Sequence, residues 1–159
     1  MPPGRSSILK GIKDTTIVDG SYNVNTDSVR VILGMVQGLP PPKWLILGDL
    51  TEQGRFEKEE HEKIARLLQD TDFEKIVLVG PRLARYALSL LNERAVSFEM
   101  PREALDHIEA ELRGGETVVF KGARFLEGII EHLLADKHDA DKLCRREKVW
   151  RKRRAQWGL

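Results

Sequence analysis

The feature that most constrains the fold is a regular alternation between two kinds of segment. Short apolar runs, rich in β-branched residues, predict buried strands, and segments with apolar residues at every third or fourth position predict helices with one apolar face. The predicted strands are residues 16–19, 44–47, 76–79, 95–98 and 117–120. The predicted helical faces lie within residues 29–36, 64–68, 83–91, 105–112 and 126–133. The sequence therefore predicts five consecutive βα units.

Apolar strands joined by helices favour a mainly parallel sheet with helices on both faces. We expect an α/β fold, a Rossmann-like three-layer sandwich with a sheet of five to six strands, over residues 1–136. A chain of 159 residues is long enough to bury one core of this kind without disulfides. Residues 137–159 are predicted to form a basic, helical C-terminal tail.

The tail differs from the rest of the chain in its charge. It contains nine Lys or Arg residues and three acids, although the whole chain has a net charge of only +1. Leu143, Trp150 and Trp157 follow one another at intervals of seven, which on a helix gives a narrow apolar stripe that needs a surface to pack on. That surface could belong to the same domain, to another protein chain or to nucleic acid, although a basic run alone is weak support for nucleic acid.

Several functional classes are disfavoured by what the sequence lacks. Cys144 is the only cysteine, and the four histidines have no ligand spacing, so neither a disulfide nor a metal site is expected. No apolar run approaches the roughly 18 residues of a membrane span, and no secretory signal follows Met1, so we expect a cytoplasmic protein. A P-loop, a Gly-x-Gly-x-x-Gly fingerprint and a Gly-x-Ser-x-Gly elbow are all missing, and we predict no catalytic residue in this chain.

Polar residues cluster directly after the predicted strands. In open α/β sheets, ligands bind beyond the carboxyl ends of the strands, where such residues meet. Asn, Asp and Gly also favour turns and helix caps, which explains any single loop. Several loops carrying carboxylates and fixed cations together suit a polar, partly anionic ligand. The loops concerned are residues 19–25, 48–54, 80–82 and 121–124.

These loops, in this order, resemble the C-terminal domain of Mur ligases over roughly residues 3–135. The resemblance is carried by the Gly-Arg pair at 4–5, Ile-Val-Asp-Gly-Ser-Tyr-Asn-Val-Asn-Thr-Asp-Ser at 17–28, Leu-Gly-Asp-Leu-Thr-Glu-Gln-Gly at 47–54, His61, and Phe-Lys-Gly-Ala-Arg at 120–124. Within the family, the sequence is most similar to ligases that add D-alanyl-D-alanine to UDP-N-acetylmuramoyl tripeptide.

The resemblance implies a part of an ATP-dependent amide ligase of peptidoglycan precursor synthesis. In that family, ATP phosphorylates a substrate carboxylate and the incoming amine displaces the phosphate. This domain closes over ATP and the amino acid or dipeptide, whereas a central P-loop ATPase domain mainly holds ATP and Mg²⁺ and an N-terminal domain binds the UDP-substrate. Alone, the chain is expected to be inactive and to bind neither ATP nor Mg²⁺ tightly.

The resemblance also assigns roles to individual residues. Arg5 is implied to reach the ribose or phosphates of ATP, and Lys121, Gly122 and Arg124 are implied to face the incoming amine substrate. The implied nucleotide-facing loop contains Asp19, Tyr22, Asn23 and Asn25. The family positions for which helix capping or loop bracing is an equal alternative are Asp49, Glu52 and His61.

Three positions depart from the family pattern. Gly20 replaces a second Asp, Thr26 replaces a Pro, and Ala123 replaces a Ser, which bear on nucleotide contact and dipeptide specificity. We also identify no counterpart of the basic tail in the family. The alternative function is therefore a non-catalytic binding module that uses its Trp-containing tail to bind a partner protein or nucleic acid.

Overall fold

The computed structural model describes residues 2–159, which contain one six-stranded sheet with the order β1-β2-β6-β3-β4-β5. Neighbouring strands are parallel, except that β1 runs antiparallel to β2 at one edge. The strands are β1 (Ser7–Lys10), β2 (Thr16–Gly20), β3 (Lys43–Gly48), β4 (Lys75–Val79), β5 (Ala95–Phe98) and β6 (Thr117–Lys121). The expected mainly parallel sheet of five to six strands is confirmed.

Helices cover both faces of the sheet, as the sequence predicts. Helices α1 to α3 pack with one cluster of buried residues, and helices α4 and α5 pack with the other. The helices are α1 (Thr26–Val36), α2 (Glu57–Gln69), α3 (Pro81–Tyr86), α4 (Pro101–Glu111), α5 (Leu126–Leu133) and α6 (Lys148–Gln156). Within residues 2–159, none of these helices has the length and apolar character that a bilayer crossing needs.

The alternating side chains of the central strand β3 divide the core into its two halves. Trp44 and Ile46 point into the cluster under α4 and α5, whereas Leu45 and Leu47 point into the cluster under α1 to α3. All four side chains are at most 1% exposed. Successive residues of a strand face opposite sides of a sheet, so a strand buried on both sides must be apolar throughout.

The edge strand β1 is the one strand for which the sequence has no apolar run. Only Leu9 of its four residues is buried, and Ile8 is 68% exposed. The strand is defined by its antiparallel pairing with β2, in which Ser7 lies opposite Asp19. A half-exposed strand of four residues gives too weak a pattern for sequence analysis to detect.

The tail packs on its own domain, which decides between the three surfaces that the sequence leaves open. Leu143 is 1% exposed and belongs to the core cluster under α4 and α5. It precedes α6, so it does not share one helical stripe with Trp150 and Trp157, and that interpretation is wrong. Trp157 instead lies 6.1 Å from the ring of Phe125, just before α5.

Ion pairs between α5 and the tail add to this packing. Glu127 of α5 is fully buried, with Arg145 and Arg154 of the tail each 3.5 Å from one of its carboxylate oxygens. Burial raises the pKa of Glu127 above its ordinary value, and the two arginines oppose that rise. Glu131, one turn further along α5, accepts two hydrogen bonds of 3.0 Å from Arg146.

We predict that Leu143→Ala lowers the free energy of unfolding by about 2–5 kcal/mol, because it leaves a cavity in a packed core. The matched control is Val149→Ala in α6, which should change stability by less than about 0.5 kcal/mol because Val149 is 55% exposed. Urea denaturation followed by circular dichroism measures both values. Equal effects of the two substitutions would contradict the docking of the tail.

Candidate functional site

The order of the strands brings three polar loops together at the carboxyl ends of the parallel strands. Strand β6 lies between β2 and β3 and is parallel to both, so the carboxyl ends of all three point the same way. The chain leaves β2 and β3 toward α1 and α2 on one face, and leaves β6 toward α5 on the other face. Such a switch in direction opens a crevice in α/β sheets, which is where ligands bind.

A cleft of about 420 Å³ lies at these carboxyl ends. Five residues that the sequence analysis assigned to ligand binding line it, together with Gly4, Ser6, Val24, Ser28 and two apolar residues of α1. The five are Arg5, Tyr22, Asn23, Asn25 and Lys121. The structure thus brings together residues that come from both ends of the domain.

Two cations and one aromatic ring are among the residues that line the cleft. The guanidinium carbon of Arg5 lies 5.0 Å from the ring centroid of Tyr22, within the range of a cation–π contact. Lys121 Nζ donates a hydrogen bond of 2.7 Å to the backbone oxygen of Asn23. Partial burial and the nearby charge of Arg5 lower the pKa of Lys121, and Asp19 opposes this effect.

Asn23 and Asn25 use their side-chain oxygens to shape the loop. Asn23 Oδ1 accepts from the amide of Val24, and Asn25 Oδ1 accepts from the amide of Ser28 at the start of α1. The hydroxyl of Ser28 accepts from the amide of Asn25 in return, which completes a capping box. Within residues 2–159, neither side-chain amide nitrogen donates a hydrogen bond to protein, so both can donate to a ligand in the cleft.

Asp19 lies beneath the cleft and does not line it. Its side chain is fully buried, and Oδ1 accepts hydrogen bonds from the amide and hydroxyl of Ser21, at 3.0 and 2.6 Å. Its contribution in this conformation is to hold the turn after β2 and to face Lys121 electrostatically. Its second oxygen, Oδ2, has no hydrogen-bond partner among residues 2–159.

Asp49 connects the ends of β3, β4 and β6. It is fully buried, and its carboxylate accepts from the amide of Leu83 at 2.9 Å and from Arg124 Nη2 at 2.8 Å. Arg124 is therefore committed to an ion pair inside the domain, with its side chain 24% exposed. Bracing of the loops is the role that this geometry favours for Asp49.

Gly122 allows the ends of β6 and β3 to approach each other closely. Its φ of +111° is unfavourable for other residues, and a Cβ atom there would lie 2.8 Å from the carbonyl oxygen of Gly48. Any side chain at this position would separate the two strands or distort the turn. Gly122 thus shapes the loop that follows Lys121.

His61 and Glu52 differ sharply in their surroundings. His61 is fully buried, its Nε2 accepts from the amide of Leu50, and its Nδ1 lies 2.6 Å from the carbonyl oxygen of Glu57. These bonds fit a neutral ring with the proton on Nδ1, and they hold the loop after β3 against α2. Glu52 is exposed at the tip of that loop, in the left-handed region with φ of 59°.

Two of the three departures from the family pattern, at Gly20 and Thr26, can be related to contacts in the structure. A Cβ atom at Gly20 would lie 2.6 Å from the carbonyl oxygen of Phe120, so a side chain there requires β2 and β6 to move apart. Thr26, at the start of α1, donates a hydrogen bond of 2.6 Å to Glu60 of α2. Ala123, the third departure, lines a neighbouring cleft.

This neighbouring cleft, of about 410 Å³, contains residues that sequence analysis did not assign to a site. It shares Tyr22 and Asn23 with the first cleft, and its other wall is formed by Arg145, Glu147 and Trp150 of the tail. A further cleft of about 410 Å³ lies toward the amino ends of the parallel strands, between the C-terminal ends of α1 and α2. Among residues 2–159, no three His, Cys, Asp or Glu side chains are grouped so that they could hold a metal ion.

The fold and the cleft define a Rossmann-like domain that presents cations, amides and one aromatic ring beyond the carboxyl ends of parallel strands. Residues 4–124 match the family described as "Mur ligase, glutamate ligase domain", which covers most of the chain. The chain therefore belongs to the Mur ligase family. Its resemblance to that family's C-terminal domain is confirmed.

Similar proteins agree with this assignment. The UDP-N-acetylmuramoyl-tripeptide–D-alanyl-D-alanine ligase of Mycobacterium tuberculosis is 29% identical over 147 residues, which cover 76% of this chain and 29% of that ligase. A crystal structure of MurF from Acinetobacter baumannii is 26% identical, with a TM-score of 0.72, over 84% of this chain and 30% of that chain. The chain thus spans less than a third of the length of these relatives.

The fold also matches the MurF ligase of Thermotoga maritima in complex with ADP, with a TM-score of 0.66 and 19% identity. This match covers 96% of the present chain and 32% of that ligase. Residues 1–136 alone make up a smaller share of the chain than this match covers. The similarity in fold therefore extends into the basic tail, for which the sequence analysis identified no counterpart.

We predict that Arg5→Ala raises the pKa of Lys121, because it removes a like charge whose presence lowers that pKa. The pH titration of the Lys121 side-chain NMR signals measures the change. The matched control is Arg55→Ala, which removes an arginine that stacks on Phe56 outside the cleft. An unchanged or lowered pKa of Lys121 in Arg5→Ala would show that the two cations do not share one site.

Proposed function

We propose that this chain is the closing C-terminal domain of an ATP-dependent, Mur-type amide ligase of peptidoglycan precursor synthesis. In this proposal, it contributes part of the site for the nucleotide and for the incoming amino acid or dipeptide. It has no activity without a central P-loop ATPase domain and an N-terminal domain for the UDP-N-acetylmuramoyl peptide. The names of the relatives, which act on UDP-N-acetylmuramoyl tripeptide and D-alanyl-D-alanine, support this substrate class.

The observation that carries the proposal is the grouping of Arg5, Tyr22, Asn23, Asn25 and Lys121 around one cleft. Five residues assigned from the family pattern alone converge in space, although Arg5 and Lys121 are 116 positions apart in the chain. The match covers about 29% of the M. tuberculosis ligase, which supports the proposal that this chain corresponds to one domain of a multidomain enzyme. The ADP complex of the T. maritima relative supports a nucleotide as the ligand.

Each lining residue suits one part of a nucleotide. Arg5 and Lys121 suit phosphate oxygens, because charge-assisted hydrogen bonds from cations are stronger than neutral ones. The amide groups of Asn23 and Asn25 suit ribose hydroxyls or the edge of a base. Tyr22 is 46% exposed, and Arg5 lies over its ring, so a base entering the cleft would meet an aromatic ring and a planar cation side by side.

The proposed chemistry depends on closure. ATP would phosphorylate the carboxylate of the UDP-peptide, and the amine of the amino acid or dipeptide would then displace phosphate and form the amide bond. Within this chain, Lys121 is the cation placed to neutralise charge on the nucleotide or on the carboxylate of the amine substrate. A site divided between domains exists only when they close, which excludes water from the reactive acyl phosphate.

The alternative, a binding module that acts through its tail, loses its main structural support. The apolar side chain of Leu143 is buried in the core, and Arg145, Arg146 and Arg154 pair with acids of α5. The tail still exposes basic side chains on α6, together with Val149. Binding of nucleic acid by that face would be strongly dependent on salt.

The test is release of phosphate from ATP, UDP-N-acetylmuramoyl tripeptide and D-alanyl-D-alanine. The chain is assayed alone and together with the N-terminal and central domains of a Mur ligase relative. We expect the chain alone to be inert, the mixture to turn over, and Lys121→Ala to lower turnover by at least about tenfold, since a charged contact contributes about 1.5–3 kcal/mol.

Lys58→Ala is the matched control, because Lys58 is 70% exposed on α2, away from the cleft. It should leave turnover unchanged. If Lys58→Ala and Lys121→Ala reduce turnover equally, the cleft is not the functional site. If the mixture is inert while the chain binds nucleic acid or another protein through α6, the binding-module alternative replaces the ligase proposal.

A further inference from the structure

The tail returns to the candidate site after it leaves α5. Leu143 enters the core, and the next residue, Cys144, lies with its Sγ 3.6 Å from the hydroxyl of Ser21 in the loop after β2. The following residue, Arg145, reaches the same loop. The tail is therefore in contact with residues 21–25, the loop that provides Tyr22, Asn23 and Asn25 to the cleft.

Arg145 holds this loop through both terminal nitrogens of its guanidinium group. Nη1 donates to the carbonyl oxygen of Ser21 at 3.0 Å, and Nη2 donates to the carbonyl oxygen of Tyr22 at 2.6 Å. The guanidinium carbon also lies 5.5 Å from the ring centroid of Tyr22. The planar fork of arginine can bind two adjacent carbonyl groups at once, which the point charge of lysine cannot do in the same way.

A second layer of charges holds Arg145 in place. Its Nη1 lies 3.5 Å from the buried carboxylate of Glu127 in α5. Arg154 of α6 lies at the same distance from the other carboxylate oxygen and donates a hydrogen bond of 2.8 Å to the backbone oxygen of Arg145. The backbone of Arg145 has a φ of 54°, in the left-handed region, so this contact from Arg154 helps to fix an unfavourable conformation.

From these contacts we propose that Arg145 is a positioning residue for the candidate cleft. It fixes the loop of residues 21–25 so that Tyr22 and Asn23 face the ligand, and it makes the basic tail a structural part of the site. The effect on a nucleotide rests on the proposed function, whereas the effect on the loop does not. A loop held in its binding conformation before the ligand arrives costs less entropy on binding.

The first test measures hydrogen exchange at the amides of Ser21, Tyr22, Val24 and Asn25, which are all hydrogen-bonded within or beside the loop. Arg145→Ala should speed their exchange by at least about tenfold, because two charge-assisted bonds to the loop are lost. Amides of β3 and β4 should keep their rates. Unchanged exchange at the loop amides would overturn the inference.

Two further variants separate positioning from loss of folding. Arg145→Lys retains the charge without the fork and should give rates between those of the wild type and Arg145→Ala. Lys152→Ala, in the exposed face of α6, should match the wild type. If Arg145→Ala does not fold, the comparison between Arg145→Lys and Lys152→Ala decides, and equal loop exchange in these two variants overturns the inference.

The second test uses the reconstituted ligase assay with the wild-type chain, Arg145→Ala and Arg145→Lys. We expect Arg145→Ala to raise the KM for ATP by about tenfold, with a smaller change in the KM for the UDP-peptide, and Arg145→Lys to restore part of the loss. An unchanged KM for ATP would overturn the effect on the ligand. An inert wild-type mixture would count against the proposed function alone, because the exchange experiment still decides whether Arg145 positions the loop.

Discussion

The position of β6 between β2 and β3 is the constraint on which the site depends. β6 is the last strand along the chain, yet its backbone pairs with both β2 and β3, the strands that the polar loops follow. Its insertion places Lys121 beside the loop after β2 and places Arg124 beside Asp49 at the end of β3. Without this pairing, the two halves of the cleft would belong to separate parts of the sheet.

Much of this fold follows from the sequence because the central strands are buried on both faces and therefore apolar throughout. The four consecutive apolar residues at 44–47 and at 76–79 are typical of strands that are covered on both faces of a sheet. The edge strand β1 is different, because its pairing with β2 determines it while its side chains are mostly exposed. The strand order is also invisible in the pattern, since it depends on which apolar faces fit together after the chain has folded.

The site was predictable only to the extent that family motifs mark it. The motifs identify the residues of the loop after β2, but they do not distinguish Asn25, which lines the cleft, from Asp19, which lies buried beneath it. Arg145 carries no signal at all, because its partners Ser21 and Tyr22 lie more than 120 positions away in the chain. Its role depends on Glu127, a buried acid of α5 that the helical pattern of the sequence does not distinguish from an exposed position.

We propose that the cleft beside Arg5 and Lys121 faces the nucleotide when the domain closes on a central ATPase domain. NMR spectra of the isotope-labelled chain, mixed with the unlabelled central domain of a relative and ADP, test this directly. We expect the amide signals of Tyr22, Asn23 and Lys121 to shift when ADP is added. The signals of Gln37 and Asp72, which line the second cleft between the C-terminal ends of α1 and α2, should not shift. Shifts confined to that second cleft, or to α6, would show that the nucleotide does not bind at the cleft beside Arg5 and Lys121.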